Sequence, residues 1–384
     1  MPPESVPIWG EHLTDARLFS VSLAVLLAAL IWLATSAWRH RRNIRAIPVR
    51  IHVAGTRGKS TTTRLIAAGL RAAGRRVMAK TTGSEARIIL PDGSEEAWPR
   101  RGPAAIAEQR QFFARAVRLG VDTVVVECMA IRPEFLWASE RHLVRATTTV
   151  VTNTRADHYE DVGDREEAMA DALAWVVPPE GRLVASREAV AALSVRVAER
   201  QAEIVEVDTA GLDPLAADRA LAVAVCAAHG AAGPDVLSAM ERSAPDPGLY
   251  FERPLAVDGK SLRFANAFAC NDVDSFAQAW NAHRESPAVV LFNARHDRPL
   301  RTRHFLDYFA AQRPVPLVFV AGDRSAAAWA QRRAGGKTVR RLRARTPSAA
   351  LAEVAAAAPA GATIWGVGNY HGLGAELIRE VGRT

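Results

Sequence analysis

The chain has 384 residues, 49 Lys and Arg against 41 Asp and Glu for a net charge of +8, and only three cysteines. That length serves two globular domains with cores of their own, while Cys128, Cys226 and Cys270, widely spaced and without CxxC pairs, exclude a disulfide framework and a structural zinc site and fit a reducing compartment. The basic excess is arginine spread over helical faces plus one block at residues 39–45, with no aromatic-interleaved stripe, which argues against a nucleic-acid partner.

Residues 1–17 read as a short tail outside the cytoplasm. Residues 18–38 carry no charge and are dominated by Leu, Ala, Val and Ile, about the ~20 residues that cross a bilayer as a helix. Glu4, Glu11 and Asp15 precede this stretch, and Arg39, His40, Arg41, Arg42 and Arg45 follow it. The positive-inside rule therefore puts everything after it in the cytoplasm, on the inner face of the plasma membrane, with residues 39–47 as a basic linker. A cleaved signal peptide is the rival, but it needs a basic start and a shorter apolar core.

Ile51-His52-Val53-Ala54 reads as a buried strand, Gly55 to Gly58 as a tight turn, and Lys59 onward as a helix reaching about Ala73. Such a junction is a phosphate cradle: glycines let backbone N–H groups close on a polyanion, and the helix N-terminus adds its positive dipole end. Lys59 can reach the β/γ-phosphates and the Ser60 hydroxyl can ligate Mg²⁺. Gly55, Thr56, Arg57, Gly58, Lys59, Ser60 and Thr61 form the nucleotide loop, in a shortened form because Val53 stands where the longer motif has its first glycine. The rival is an ordinary strand–turn–helix junction with a chance Gly-Lys-Ser.

Downstream, residues 75–80 read as a strand, 88–90 and 95–98 as a hairpin around Pro91-Asp92-Gly93, 104–119 as a helix, and 122–127 and 147–152 as strands. Strands alternating with helices as far as about Gly230 mean βαβ units and a parallel sheet covered on both faces. The cluster Pro245-Asp246-Pro247-Gly248 ends this domain, residues 48–245. A smaller Rossmann-like α/β domain, residues 249–384, restarts with a hairpin over 255–267 and strands at 288–292, 316–320 and 363–366, with the Ala-rich stretch 349–358 as helix.

In open α/β sheets the ligand sits outside the carboxyl ends of the strands, where Lys59 and Ser60, Glu127, and Asn153 with Asp157 and His158 are expected to converge. A hydroxyl, a carboxylate and a triphosphate suffice for one magnesium ion, and a carboxylate with an imidazole for a second. Glu127, a charged group after four positions expected to be buried, needs a partner. Lys80-Thr81-Thr82-Gly83 either faces the substrate or is a plain turn.

These residues carry a resemblance. Gly55-Thr-Arg-Gly58-Lys59-Ser60-Thr61, the strand-ending Glu127 and Asn153-Thr-Arg-Ala-Asp157-His158 resemble the central domain of the Mur ligases and folylpolyglutamate synthases, ATP-dependent amide-forming enzymes. Within that group, Lys80-Thr-Thr-Gly83, Glu127-Cys-Met-Ala130, Asn266-Ala-Phe-Ala-Cys-Asn271-Asp272 and Asn293-Ala-Arg295-His-Asp297-Arg298 are most similar to the membrane-anchored ligase subunits of poly-γ-glutamate synthases (PgsB/CapB type), from about residue 48 to the C-terminus. The resemblance implies ATP and Mg²⁺ as cofactors and Ser60, Glu127 and His158 as metal positions, with Lys59, Glu127 and His158 the catalytic set. It further implies Asn266, Asn271, Arg295 and Asp297 on a carboxyl-terminal domain that closes over the nucleotide, and Lys80, Thr81 and Thr82 toward the substrate. Glutamate and its growing chain, together with other membrane subunits of a capsule synthase, are the implied partners, and an oligomer is compatible with it.

Two departures stand out. Mur ligases and folylpolyglutamate synthases carry a carbamylated lysine on the helix after the Asp-His motif, whereas residues 168–174 contain none, so either Asp171 or Glu167 supplies the missing charge or the second metal is held differently; the rival is that Glu166, Glu167 and Asp171 form a solvated acidic face at a helix start. A membrane helix also stands where Mur enzymes have a nucleotide-sugar domain. The expected reaction is carboxylate activation by ATP followed by amide formation. An ATP-gated membrane scaffold, a kinase that stops at phosphorylation, or a ligase for a different amino acid are the alternatives.

Overall fold

The structure is a computed structural model describing residues 15–384 apart from 84–85, 101, 103, 156–158, 164, 166, 247–248, 271–272, 283–286, 296–297, 313, 315, 323–327, 330–331, 333–337 and 383–384. The first sheet has eight strands: β1 (Val49–Ala54), β2 (Val77–Thr81), β3 (Arg87–Ile89), β4 (Glu95–Ala97), β5 (Thr123–Glu127), β6 (Thr148–Val151), β7 (Arg182–Ser186) and β8 (Glu203–Val207). Their spatial order is β4-β3-β2-β5-β1-β6-β7-β8, with β3 and β4 antiparallel on one edge and the remaining neighbours parallel. Helices cover both faces, so β2, β5 and β6 are buried along their whole length, as runs such as Thr-Val-Val-Val require.

The second sheet has six strands: β9 (Phe251–Val257), β10 (Lys260–Ala267), β11 (Ala288–Ala294), β12 (Leu317–Gly322), β13 (Val339–Arg341) and β14 (Thr363–Gly368), in the order β13-β12-β11-β14-β10-β9. Its β9–β10 hairpin turns at Asp258-Gly259, both at positive φ (48° and 77°). The expected mixed architecture of two mostly parallel sheets is therefore the observed one.

The first helix, α1, differs from expectation. It runs unbroken over Asp15–Arg45, 31 residues, so residues 39–45 are its last turns and not a linker. The reason is a buried stripe hidden among the arginines: Ile44 and Ile47 join a core cluster with Phe112 and Phe113, and His40, spaced i, i+4 from Ile44, is buried against Phe113, while Arg39, Arg41, Arg42 and Arg45 stay exposed. Phe112 and Phe113 belong to α3 (Glu108–Arg118), which starts four residues later than its sequence period suggests. The His40 ring meets Phe113 edge-on at 5.6 Å and its Nε2 donates to the Leu143 carbonyl at 3.0 Å. Higher on α1, Arg110 Nη1 donates to Ser36 Oγ at 3.3 Å.

Beneath β1 lies a buried polar pair. His52 Nδ1 donates to Glu140 Oε2 at 2.9 Å, and Glu140 Oε1 accepts the Ala146 N–H at 2.8 Å. Burial opposes a charge on this ring, but Cys128 and Glu140 beside it outweigh that and push its pKa up to about 10. A histidine raised above its unfolded value contributes stability that is complete below about pH 6.5 and is lost as pH rises through about 10. Thermal melts should therefore fall between pH 7 and pH 10.5, and Glu140→Gln should flatten that dependence while lowering the melting temperature throughout. A pH profile unchanged by Glu140→Gln would remove the pair from the account.

Candidate nucleotide and metal site

The loop between β1 and α2 (Lys59–Ala72) is wound so tightly that only glycine fits twice. Gly55 and Gly58 have φ of 123° and 78°, and a Cβ at either would collide, at Gly55 with the Thr152 hydroxyl and at Gly58 with the Asp218 carboxylate. The end of β6 braces the loop: the Asn153 carbonyl accepts the Thr56 N–H at 3.3 Å, Asn153 Nδ2 donates to the Arg57 carbonyl at 3.1 Å, and Thr152 Oγ1 also donates to that carbonyl. Asn153, placed by sequence among the ligand groups, thus holds the loop's shape, with its Oδ1 also accepting the Thr56 hydroxyl.

Lys59 opens α2, and its ammonium donates to the carbonyls of Gly55 (2.8 Å) and Thr56 (3.2 Å), folded back over the loop. Ser60 Oγ donates to Glu127 Oε2 at 2.8 Å, and the same carboxylate oxygen accepts the Thr82 N–H at 2.6 Å. Glu127 ends β5 and is 2% exposed. Burial holds its carboxyl above the ordinary range, although Lys59, the Thr82 N–H and the Ser60 hydroxyl pull the other way. A Cβ at Gly83 would strike Ser60 Oγ, so the backbone approaches this pair as closely as it can.

A buried carboxylate short of compensating charge, with a hydroxyl oxygen on it, is an oxygen donor set that suits a hard divalent cation. The residues therefore fit magnesium and a phosphate chain at the start of α2.

Asp218 was not singled out by its sequence. It lies in the helix Pro214–Ala228, is 8% exposed, and packs against Gly58. Burial pushes its carboxyl up to about 7, against the opposing pull of the Thr62 hydroxyl, Arg155 and Lys59. The available signal was an acidic residue on the apolar face of an Ala-rich helix.

The other expected positions divide. Lys80 is fully buried, with its ammonium on Glu108 Oε2 at 2.7 Å and 4.5 Å over the Trp98 ring. Burial lowers its pKa and Glu108 counters that. A carboxylate of α3 thus already occupies the group assigned to substrate, whereas Thr82 reaches Glu127 through its backbone. Asn266, also buried, donates from Nδ2 to the Leu249 carbonyl at 3.0 Å and accepts the Phe268 N–H at 3.3 Å, tying β10 to the segment between the domains. Arg295 is half-buried just after β11. His158 and Asp157, like Asn271 and Asp297, lie outside the described residues. One unexpected link ties the segment after His158 to the second domain: Asp161 accepts Arg298 Nη1 at 2.8 Å and Arg132 Nε at 3.2 Å.

For the absent lysine, the described residues favour the solvated acidic face. Asp171 pairs with Arg165 at 2.8 Å with both side chains mostly exposed, and Glu167 is exposed at the start of the helix Ala168–Leu173. Glu166 lies outside the described residues.

Comparison with known proteins places these features. Residues 53–218 match the family described as the Mur ligase middle domain, and residues 253–384 the poly-gamma-glutamate synthase CapB C-terminal domain. The chain is 28% identical over 365 residues to the PGA synthase CapB of Bacillus subtilis (strain 168), covering 89% of this chain and 92% of that one. It is also 28% identical over 309 residues to the capsule biosynthesis protein CapB of Bacillus anthracis, covering 75% of this chain and 66% of that one. A folylpolyglutamate synthase from Mycobacterium tuberculosis, solved with ADP and AMPPCP, shares the fold with a TM-score of 0.65 at 19% identity, covering 94% and 99% of the two chains.

Proposed function

The chain is a CapB-type member of the Mur ligase superfamily, and on that premise we propose that it is an ATP- and Mg²⁺-dependent amide ligase that polymerises glutamate through γ-amide bonds. The observation that carries this reading is the Ser60–Glu127 pair beneath the phosphate loop, which joins a cation site to a triphosphate site. Loop N–H groups and the amino end of α2 bind the phosphates, and Lys59 turns from the loop carbonyls to the terminal phosphoryl group. Ser60 and Glu127 would hold Mg²⁺, with His158 as a further metal position, and the ion would supply charge withdrawal from that phosphoryl group. The substrate carboxylate then takes the terminal phosphoryl group from ATP, releasing ADP, to become an acyl phosphate, and an incoming amino group displaces phosphate and gives up a proton to leave the amide.

For the closing face we propose Arg295 of the second domain, with Asn271 and Asp297 as the resemblance implies, and the Asp161–Arg298 pair as its latch. The deciding experiment supplies membranes carrying the chain with ATP, Mg²⁺ and single labelled amino acids. ADP release that requires glutamate, with γ-linked product, is expected. ATP hydrolysis indifferent to every amino acid overturns the ligase in favour of the scaffold.

The same reading places α1 across the plasma membrane. It is long and apolar enough to span, and none of its apolar window is buried. Because Arg45 lies at the start of β1 while Ser36 meets Arg110 near the amino end of α3, α1 runs antiparallel to β1. Residues 18–35 therefore project beyond the carboxyl ends of the strands, by roughly 27 Å at about 1.5 Å per residue. The catalytic rim faces the bilayer, where membrane subunits of an export assembly can take the product. A fluorophore at Ala104→Cys, beside that rim, should be quenched by spin-labelled lipids and one at Glu180→Cys, on the opposite edge, should not. Equal quenching at both would overturn this orientation.

A further inference from the structure

On the edge where the parallel strands begin, away from the phosphate loop, a cleft of about 420 Å³ is lined by Arg45, Arg50, Arg141, Arg145 and Arg200. Trp137 and Trp175 form its apolar walls, and Arg196 stacks on Trp175 at 4.3 Å. The one carboxylate lining it among the described residues, Glu140, is committed to His52 and to the Ala146 N–H. Among the described residues, Arg45, Arg141, Arg145 and Arg200 form no ion pair with a carboxylate. Arg50 instead donates to the carbonyls of Arg145 (2.7 Å), Ile47 (2.6 Å) and Pro48 (3.3 Å), fixing that wall of the cleft.

Five arginines lining one concavity repel one another and focus a positive potential into it, a cost that an anionic ligand relieves. Guanidinium forks match carboxylates two oxygens at a time, and indole walls suit a ligand with methylene groups between its charges. A lipid headgroup is the wrong occupant by position: the apolar part of α1 leaves from the opposite edge, roughly 20 Å away along a six-residue strand.

We infer that this cleft binds a stretch of polycarboxylate chain, the part of the product already made, and so retains the polymer between additions. This rests on the proposed reaction. A chain held there keeps its growing end at high effective concentration near the catalytic rim, so the site sets product length without taking part in the chemistry.

The test measures binding of a defined γ-linked oligoglutamate to the full chain in nanodiscs without ATP, and separately the length of product made. Arg141→Glu with Arg200→Glu should weaken oligomer binding roughly tenfold or more, about 1.4 kcal/mol or more. Products should shorten, while the initial rate with a single-glutamate acceptor stays unchanged. Arg141→Lys with Arg200→Lys should bind more weakly than the parent but more tightly than the charge reversal, because the charge stays while the bidentate fork is lost. If charge reversal disturbs folding, Arg141→Gln and Arg200→Gln taken singly keep the comparison readable. Unchanged oligomer binding in the folded variants overturns the proposal, as does displacement of the oligomer by lower concentrations of inorganic phosphate, or capture of anionic vesicles through these arginines. Because binding is read without turnover, a parent chain that binds the oligomer yet makes no amide sinks the proposed reaction and not the cleft.

Discussion

Lys59→Ala should abolish glutamate-dependent ADP release, by a hundredfold or more on the order of other single losses of charge at a phosphoryl or oxyanion site, and leave the fold nearly untouched. The ammonium at the first position of α2 bridges the carbonyls of Gly55 and Thr56, so its removal costs the loop two hydrogen bonds. Both residues are buried, but the Thr56 carbonyl keeps Arg57 Nη1 as a donor at 3.4 Å, which limits the stability cost to about 1–2 kcal/mol. Alanine is the best helix former, so α2 itself gains slightly. Melting temperature and membrane insertion should thus stay close to the parent's while the nucleotide-induced rise in melting temperature shrinks. Polymer made at a near-parental rate by this variant would exclude the phosphate-loop reading altogether.

How much of this was legible beforehand depends on whether the cause was local. The β1–loop–α2 junction was readable because strand, glycines and helix start are consecutive, and β5 because Thr-Val-Val-Val has only one comfortable environment. The hairpin turns at Pro91-Asp92-Gly93 and Asp258-Gly259 followed from turn chemistry. What failed to show was pairing across long separations. Nothing around Lys80 announces that Glu108 will take its ammonium, and nothing around Gly58 announces Asp218 from a helix far along the chain. The end of α1 was misplaced because arginines mask the spacing of His40 and Ile44, whose burial depends on Phe112 and Phe113 in α3. Glu127 and Ser60 were individually visible, but their 2.8 Å contact is made only because β5 lies beside β1 in the sheet.

That contact carries the second large effect. Glu127→Gln keeps the shape of the side chain, and its amide oxygen can still accept from Ser60 Oγ and the Thr82 N–H, so the local hydrogen bonds survive. It also removes a charge that burial disfavours, so the variant should be as stable as the parent or slightly more so in the absence of nucleotide. Its activity should nonetheless fall on the order of a hundredfold at ordinary Mg²⁺ and recover only partly at high Mg²⁺, because a neutral oxygen holds the ion weakly. Glu127→Ala should lose activity to a similar degree but also stability, by about 1–3 kcal/mol, because Ser60 Oγ and the Thr82 N–H are then left without their acceptor in a buried place. The two substitutions therefore separate charge from structure. Added Mg²⁺ with nucleotide should raise the parent's melting temperature, since a ligand that binds only the folded state stabilises it, and should do so far less for Glu127→Gln. A Glu127→Gln chain that shows the parent's full Mg²⁺ response and rate would move the cation off this carboxylate and leave it a structural partner of Ser60.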